Sequence, residues 1–223
     1  MGRAMTDARP RLLLPTPPRM DPEGIAARLP AALATGTVNC VRLDRPGAPE
    51  DEVRRAADLL RPICHAADTA LVILEHYRLV RPLGLDGVQV AARGPGLRKV
   101  REEIGRDAVL GAGCGASRHE GISAAEAGAD YVLFGPLRAD ALGAGDVAVP
   151  ELFEWWAELI ETPVVAEGGL DLALAHELGP YADFAAPDAT VWEADDLPAA
   201  LRALAEALET DDPDAGPDTE DDA

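Results

Sequence analysis

Aromatic side chains are scarce in this chain, at 4% of 223 residues. With 48% hydrophobic residues overall, alanine, leucine and valine must build the core. Lysine is nearly absent: among 20 basic residues only Lys99 is a lysine, so chemistry that needs an ammonium group has one candidate. Basic charge is itself short, with 40 acidic residues and a net charge of −20. That balance excludes nucleic acid and anionic membrane surfaces as partners, since both demand a basic face. The three cysteines, Cys40, Cys64 and Cys114, fit neither a zinc spacing nor a CxxC redox pair. An odd count with no secretory leader predicts reduced thiols and a cytoplasmic protein. No apolar run is long enough for a signal peptide core or a membrane span. The GxGxxG fingerprint of a dinucleotide fold is also missing.

What is present is alternation. Short apolar runs at 11–16, 38–43, 70–74, 86–90, 107–112, 130–135, 163–168 and 182–186 read as strands. Amphipathic stretches at 22–33, 50–66, 76–84, 96–104, 119–128, 150–161, 171–179 and 196–208 read as helices. Eight such units predict a single-domain α/β protein, a closed (β/α)8 TIM barrel over residues 11–208. Residues 1–10 read as a flexible N-terminus. Residues 209–223 carry eight acidic residues and no basic one, the composition of a disordered acidic tail. The loop 138–150 follows the sixth strand and reads either as a lid or as a plain connector. Trp155 and Trp156 are adjacent on one predicted helix and cannot share a face. One should pack on the barrel and the other meet solvent or a partner, a hint of a homo-oligomer.

Two stretches carry candidate chemistry. VVAEGGL, 164–170, reads as a buried strand that ends on Glu167 before the Gly168-Gly169 turn. Strand C-termini form the active-site face of a barrel, so Glu167 is expected at the mouth. CGASRHEG, 114–121, places Ser117, Arg118, His119 and Glu120 at a helix start. Ser117 with Glu120 three residues on is a capping box. The same start, with Arg118 beside it, also suits an anion, and His119 suits proton transfer. Glu75 and His76 close the third strand, and with His119 and Glu167 they make a candidate carboxylate and imidazole constellation.

GADYVLFGP, 128–136, followed by TPVVAEGGL, 162–170, resembles the thiamine phosphate synthase family, which includes the thiazole tautomerases. LGLDGVQV, 83–90, and IGRDAVLGAGCGAS, 104–117, are similar to its fourth strand and the run into its fifth. The resemblance implies a (β/α)8 barrel of thiamine biosynthesis that condenses an aminopyrimidine diphosphate with a thiazole phosphate, assisted by Mg2+. It implies Arg42 and Arg45 as anion contacts, Glu75 as catalytic residue and metal ligand, and Gly135, Pro136, Gly168 and Gly169 around the phosphate. The pattern departs elsewhere. Asp44 and Pro46 stand where the family has arginine and lysine, Arg93 lies beside the place of a second metal carboxylate, and Asp188 adjoins the phosphate turn. A transferase with a rebuilt site uses Glu75, Arg42 and the 117–119 loop. The alternatives are a metal-independent isomerase or tautomerase using His76 or His119 with Glu167, and a non-catalytic ligand-binding member. All three take a small phosphate, thiazole or pyrimidine ligand.

Overall fold

A computed structural model describes residues 11–94, 96–139 and 146–209. Most of the expected acidic tail, the N-terminal ten residues and the centre of the 138–150 loop lie outside the described residues. Eight parallel strands close into a barrel in sequence order. They are β1 (Arg11–Pro15), β2 (Val38–Leu43), β3 (Ala70–Leu74), β4 (Gly87–Ala91), β5 (Val109–Gly113), β6 (Tyr131–Phe134), β7 (Val164–Glu167) and β8 (Phe184–Ala186). The helices between and after them are α1 (Pro22–Leu33), α2 (Glu50–Ala66), α3 (Val80–Leu83), α4 (Leu97–Ile104), α5 (Arg118–Glu126), α6 (Pro150–Leu159), α7 (Leu172–Leu178) and α8 (Leu197–Leu208).

The helices start where the sequence supplies stop-and-start chemistry. Asp21 caps α1 by accepting the Gly24 N–H at 2.7 Å, with Pro22 as the first helical residue. In α4, Leu97, Val100 and Ile104 are the buried face, which is the helical spacing seen in the sequence. The third helix is shorter than the 76–84 expected. A 3-10 turn over Tyr77–Leu79 leads into a single α turn that ends on left-handed Gly84. Pro82, with no N–H to donate, limits how far that segment can wind as an α-helix.

Strand alternation sorts the side chains into two cores. One face of each strand packs under the helices, as Leu12, Leu14, Val41, Leu43, Val132 and Phe134 do. The opposite face fills the barrel with Leu13, Tyr131, Leu133, Val165 and Ala186. Gly111 makes room for one of these: a Cβ there would lie 2.1 Å from the Tyr131 ring.

At the N-terminal end of the barrel one device recurs. Asp86, Asp130 and Asp183 each immediately precede an even-numbered strand. Their carboxylates accept the N–H of Leu71 (2.7 Å), Leu110 (2.7 Å) and Val164 (2.8 Å) on the preceding strand. Their own N–H groups bond the carbonyls of the same three residues. Each clip satisfies a strand-entry donor that the ladder leaves open. At the same end, the β1–β2 pair has no such aspartate clip among the described residues; there the Leu12 N–H bonds the Thr37 carbonyl at 2.9 Å.

Candidate active site

The C-terminal end of the barrel holds a buried polar network that the apolar strands frame. Arg42 projects inward from β2. Its five N–H donors are all engaged. Nε and Nη2 donate to the two oxygens of Asp44 at 2.7 and 2.8 Å. Nη2 and Nη1 donate to Oε1 and Oε2 of Glu167 at 2.5 and 3.2 Å. Nη1 also donates to Gln89 Oε1 at 3.0 Å, and the Tyr131 hydroxyl donates to the same oxygen at 3.0 Å. Two carboxylates share one guanidinium, so the cluster carries a formal charge of −1 in a place water barely reaches.

Electrostatics follow from that count. Burial pulls the Arg42 guanidinium down, but Glu167 and Asp44 outweigh it and hold it above its ordinary range. Burial pushes the Asp44 carboxyl up, against the pull of Arg42. Burial also pushes the Tyr131 phenol up, so it stays a neutral donor to Gln89. Asp44 is further fixed by Thr16, whose hydroxyl accepts the Asp44 N–H at 3.0 Å.

Glu167 therefore points into the barrel mouth. Arg42 is buried and saturated, where the family likeness had it meeting an anion. Arg45 is pinned too, donating to the carbonyls of Pro17 (2.8 Å), Asp44 (3.2 Å) and Met20 (2.5 Å). It ties the loops after β1 and β2 together, and burial lowers its pKa.

The glycine turn lies at the end of β7. Gly168 and Gly169 both adopt left-handed backbone, with φ of 89° and 84°, which side-chain-bearing residues avoid. The Leu137 N–H reaches the Gly168 carbonyl at 2.7 Å, bringing the residues after β6 alongside. Gly135, joined to Pro136 by a cis peptide bond, fits against β7 only without a side chain. A Cβ there would lie 2.2 Å from the Glu167 carbonyl oxygen. The Gly169 N–H is already bonded: both carboxylate oxygens of Asp188, after β8, sit 3.0 Å from it. Arg138 lies over Gly169 and donates to Asp171 at 2.8 Å.

The remaining candidates are spread out. Ser117 accepts the Glu120 N–H at 3.3 Å and caps α5. The reciprocal half of the capping box is not made, because Glu120 pairs with Arg93 instead. Arg118 stacks on Trp155, 4.5 Å from the ring centre, and Trp156 packs inward against Phe134. His119 lines a groove of about 830 Å³ between α4 and α5, with Lys99 and Arg93, on the outside of the barrel. The imidazole and carboxylate constellation is thus not assembled: His119 and Glu167 lie on different surfaces. His76 stands at the end of β3, 3.4 Å from the Arg45 carbonyl. Glu75 beside it is exposed and left-handed, with φ of 67°.

A resident Mg2+ does not fit this donor set. Asp44 and Glu167 are held by Arg42, Glu75 stands without a second carboxylate, and no group of three His, Cys, Asp or Glu among the described residues is arranged for a metal. Sequence reasoning missed Gln89 and Tyr131. Their signal was alternation: each occupies an inward position of its strand, two residues from another inward one.

Comparison with known proteins identifies the lineage. The family model described as thiamine monophosphate synthase matches residues 12–181. A thiamine-phosphate synthase of Rhodospirillum centenum is 40% identical over 88% of this chain and 95% of its own length. The one of Erythrobacter litoralis is 38% identical over 83% and 89%. A thiamine phosphate pyrophosphorylase structure from Pyrococcus furiosus superposes with a TM-score of 0.74 at 23% identity, covering 90% of this chain and 96% of that one. At 12% identity, 3-hexulose-6-phosphate synthase of Salmonella typhimurium shares the fold with a TM-score of 0.68. With the family model matched from β1 through α7 and relatives 38–40% identical along most of both chains, this chain belongs to the thiamine monophosphate synthase family.

Proposed function

We propose that the protein is a transferase of thiamine biosynthesis, joining an aminopyrimidine diphosphate to a thiazole with loss of pyrophosphate. The observation that carries this reading is the buried, net-negative cluster of Arg42, Asp44 and Glu167 beneath the strand ends of a family barrel. In this reaction the bond from the pyrimidine methylene to the diphosphate oxygen breaks, and its electrons leave with pyrophosphate. The pyrimidine left behind is cation-like, and the thiazole nitrogen captures it. A fixed negative charge under the site stabilises that developing cation without reorganising. Gln89 and Tyr131 hold the cluster in place, and Arg42 keeps Glu167 aimed upward.

Mg2+ enters with the diphosphate, as its salt, and not as a resident ion. Glu75 is the mouth carboxylate open to it. The test is pyrophosphate release from the aminopyrimidine diphosphate in the presence of thiazole substrates and Mg2+. Coupled product is expected. Unchanged diphosphate at high enzyme concentration rejects the reading. The isomerase alternative loses its His119 form, because His119 stands apart from Glu167 in the α4–α5 groove.

A further inference from the structure

We propose that the rim of the barrel mouth is electrostatically divided, and that the runs after β3, β4 and β5 form the sector over which a diphosphate anion approaches. This rests on the transferase reading and adds how its first substrate reaches a chain of net charge −20.

From each strand end through the first helical turn that follows, this sector carries Arg78, Arg93, Arg98, Lys99 and Arg118, all exposed, against the carboxylates of Glu75 and Glu120. The runs are contiguous. The Glu75 N–H bonds the Gln89 carbonyl at 2.8 Å, the Ala92 N–H bonds the Gly113 carbonyl at 2.8 Å, and Arg93 pairs with Glu120. On the other side of the mouth, the ends of β7 and β8 and the runs after them hold Glu167, Asp171, Asp188, Glu193, Asp195 and Asp196 and no arginine or lysine.

Fold stability does not call for two of the sector's cations. Arg98 and Lys99 stand in the first turn of α4, which has no acidic residue there, and a cation at that end opposes the helix dipole. Neither is in an ion pair among the described residues. Arg118 keeps its charge while stacked on Trp155. The arginines inside the mouth are already engaged: Arg42 by Asp44, Glu167 and Gln89, and Arg45 by main-chain carbonyls.

Screening decides which charges an arriving anion feels. At about 0.1 M salt the screening length is about 10 Å, so the anion responds to the nearest rim and not to the sum over the chain. A diphosphate stays net negative as its Mg2+ salt. It is repelled on the β7–β8 side and drawn to the β3–β5 side, where Glu75 stands open to the metal. The sector's cations act through the field at the mouth, without a bond to the reacting atoms.

The experiment is calorimetric titration of the full chain with magnesium pyrophosphate. KCl is raised from about 20 to about 300 mM, which shortens the screening length from about 20 to about 6 Å. Wild type should bind more weakly as salt rises, whereas a field set by the net charge of −20 gives the opposite slope. The double variant Arg98→Gln, Lys99→Gln should lose about threefold or more in affinity at low salt, the scale of two screened charges acting on an anion, and should flatten the slope. The double variant Arg106→Gln, Arg202→Gln makes the same change in net charge away from the mouth, after α4 and on α8. It should stay within about twofold of wild type. Both variants are first shown to melt cooperatively. Wild-type affinity that rises with salt overturns the proposal. So does an equal loss in the two double variants, and so does no binding of magnesium pyrophosphate at any salt. Pyrophosphate release from the aminopyrimidine diphosphate is followed in parallel. Binding with the expected salt slope but no release sinks the transferase reading and leaves the sector standing, whereas release with a kcat/KM that ignores the Arg98→Gln, Lys99→Gln change does the reverse.

Discussion

Glu167 Oε1 lies 2.5 Å from Nη2 of Arg42, so a carboxylate from β7 and a guanidinium from β2 meet inside the barrel. Removing the cation and removing one anion are then unequal acts. Arg42→Ala strands two buried carboxylates and should cost about 3–5 kcal/mol, as breaking a buried pair on one side does. Glu167→Gln leaves Arg42 with Asp44 and a neutral acceptor, and should cost clearly less. Urea unfolding of the two variants ranks them. Equal losses would mean that Glu167 is not part of the charge balance.

Asp44 gives the network a pH signature. Burial raises its carboxyl above the ordinary 3.8, so the folded chain binds this proton more tightly than the unfolded one. Between those two values the native state carries the extra proton, and stability falls as pH rises through the window. Asp44→Asn removes that slope. Wild-type stability minus variant stability, measured by denaturant from pH 4 to 7, should decline with rising pH. A difference that grows would reverse the assigned sign.

Gly111 is a packing constraint. A methyl group there meets the Tyr131 ring carbons and hydroxyl at 2.1 to 2.5 Å, with the ring held inside a filled barrel. Gly111→Ala should destabilise by about 1–3 kcal/mol or more from overpacking. Adding Tyr131→Leu should recover part of the loss, which a double-mutant cycle of melting curves detects as positive coupling.

Cys64 and Cys114, the two fully buried cysteines, should be unreactive in the native fold. Burial pushes the Cys64 and Cys114 thiols up to about 12. At pH 8 the reactive thiolate is then on the order of one part in ten thousand of each. Iodoacetamide should leave both unmodified in native protein and label both in urea, as read by peptide mass spectrometry.

The barrel was legible in the chain because strand and helix periods differ so plainly. Runs such as ALVIL at 70–74 and the Leu97, Val100, Ile104 spacing sit where they read. The inward aim of Glu167 was legible too, since position at a strand end plus alternation sets the face. The partners were not. Arg42 reads as an anion contact until Asp44, two residues on, and Glu167, 125 residues on, are seen to saturate it. A charge is visible in sequence, but whether its donors are free is a property of packing. His119 misled for a different reason. The residue after a helix's first position turns with the helix, and here that turn carries it to the α4–α5 groove.

The three aspartate clips divide the barrel into linked pairs, β3–β4, β5–β6 and β7–β8, leaving β1–β2 without one. Closure at β1 and β8 rests on two registered residue pairs, Arg11 with Phe184 and Leu12 with Ala185. The ring accordingly has a seam. Opening it parts the shortest of the eight ladders, together with the bond from the Trp192 indole N–H to the Pro15 carbonyl, so amide exchange should be fastest along β1, and a circularly permuted chain should tolerate new ends in the loop between β2 and α2 better than any cut within a clipped pair.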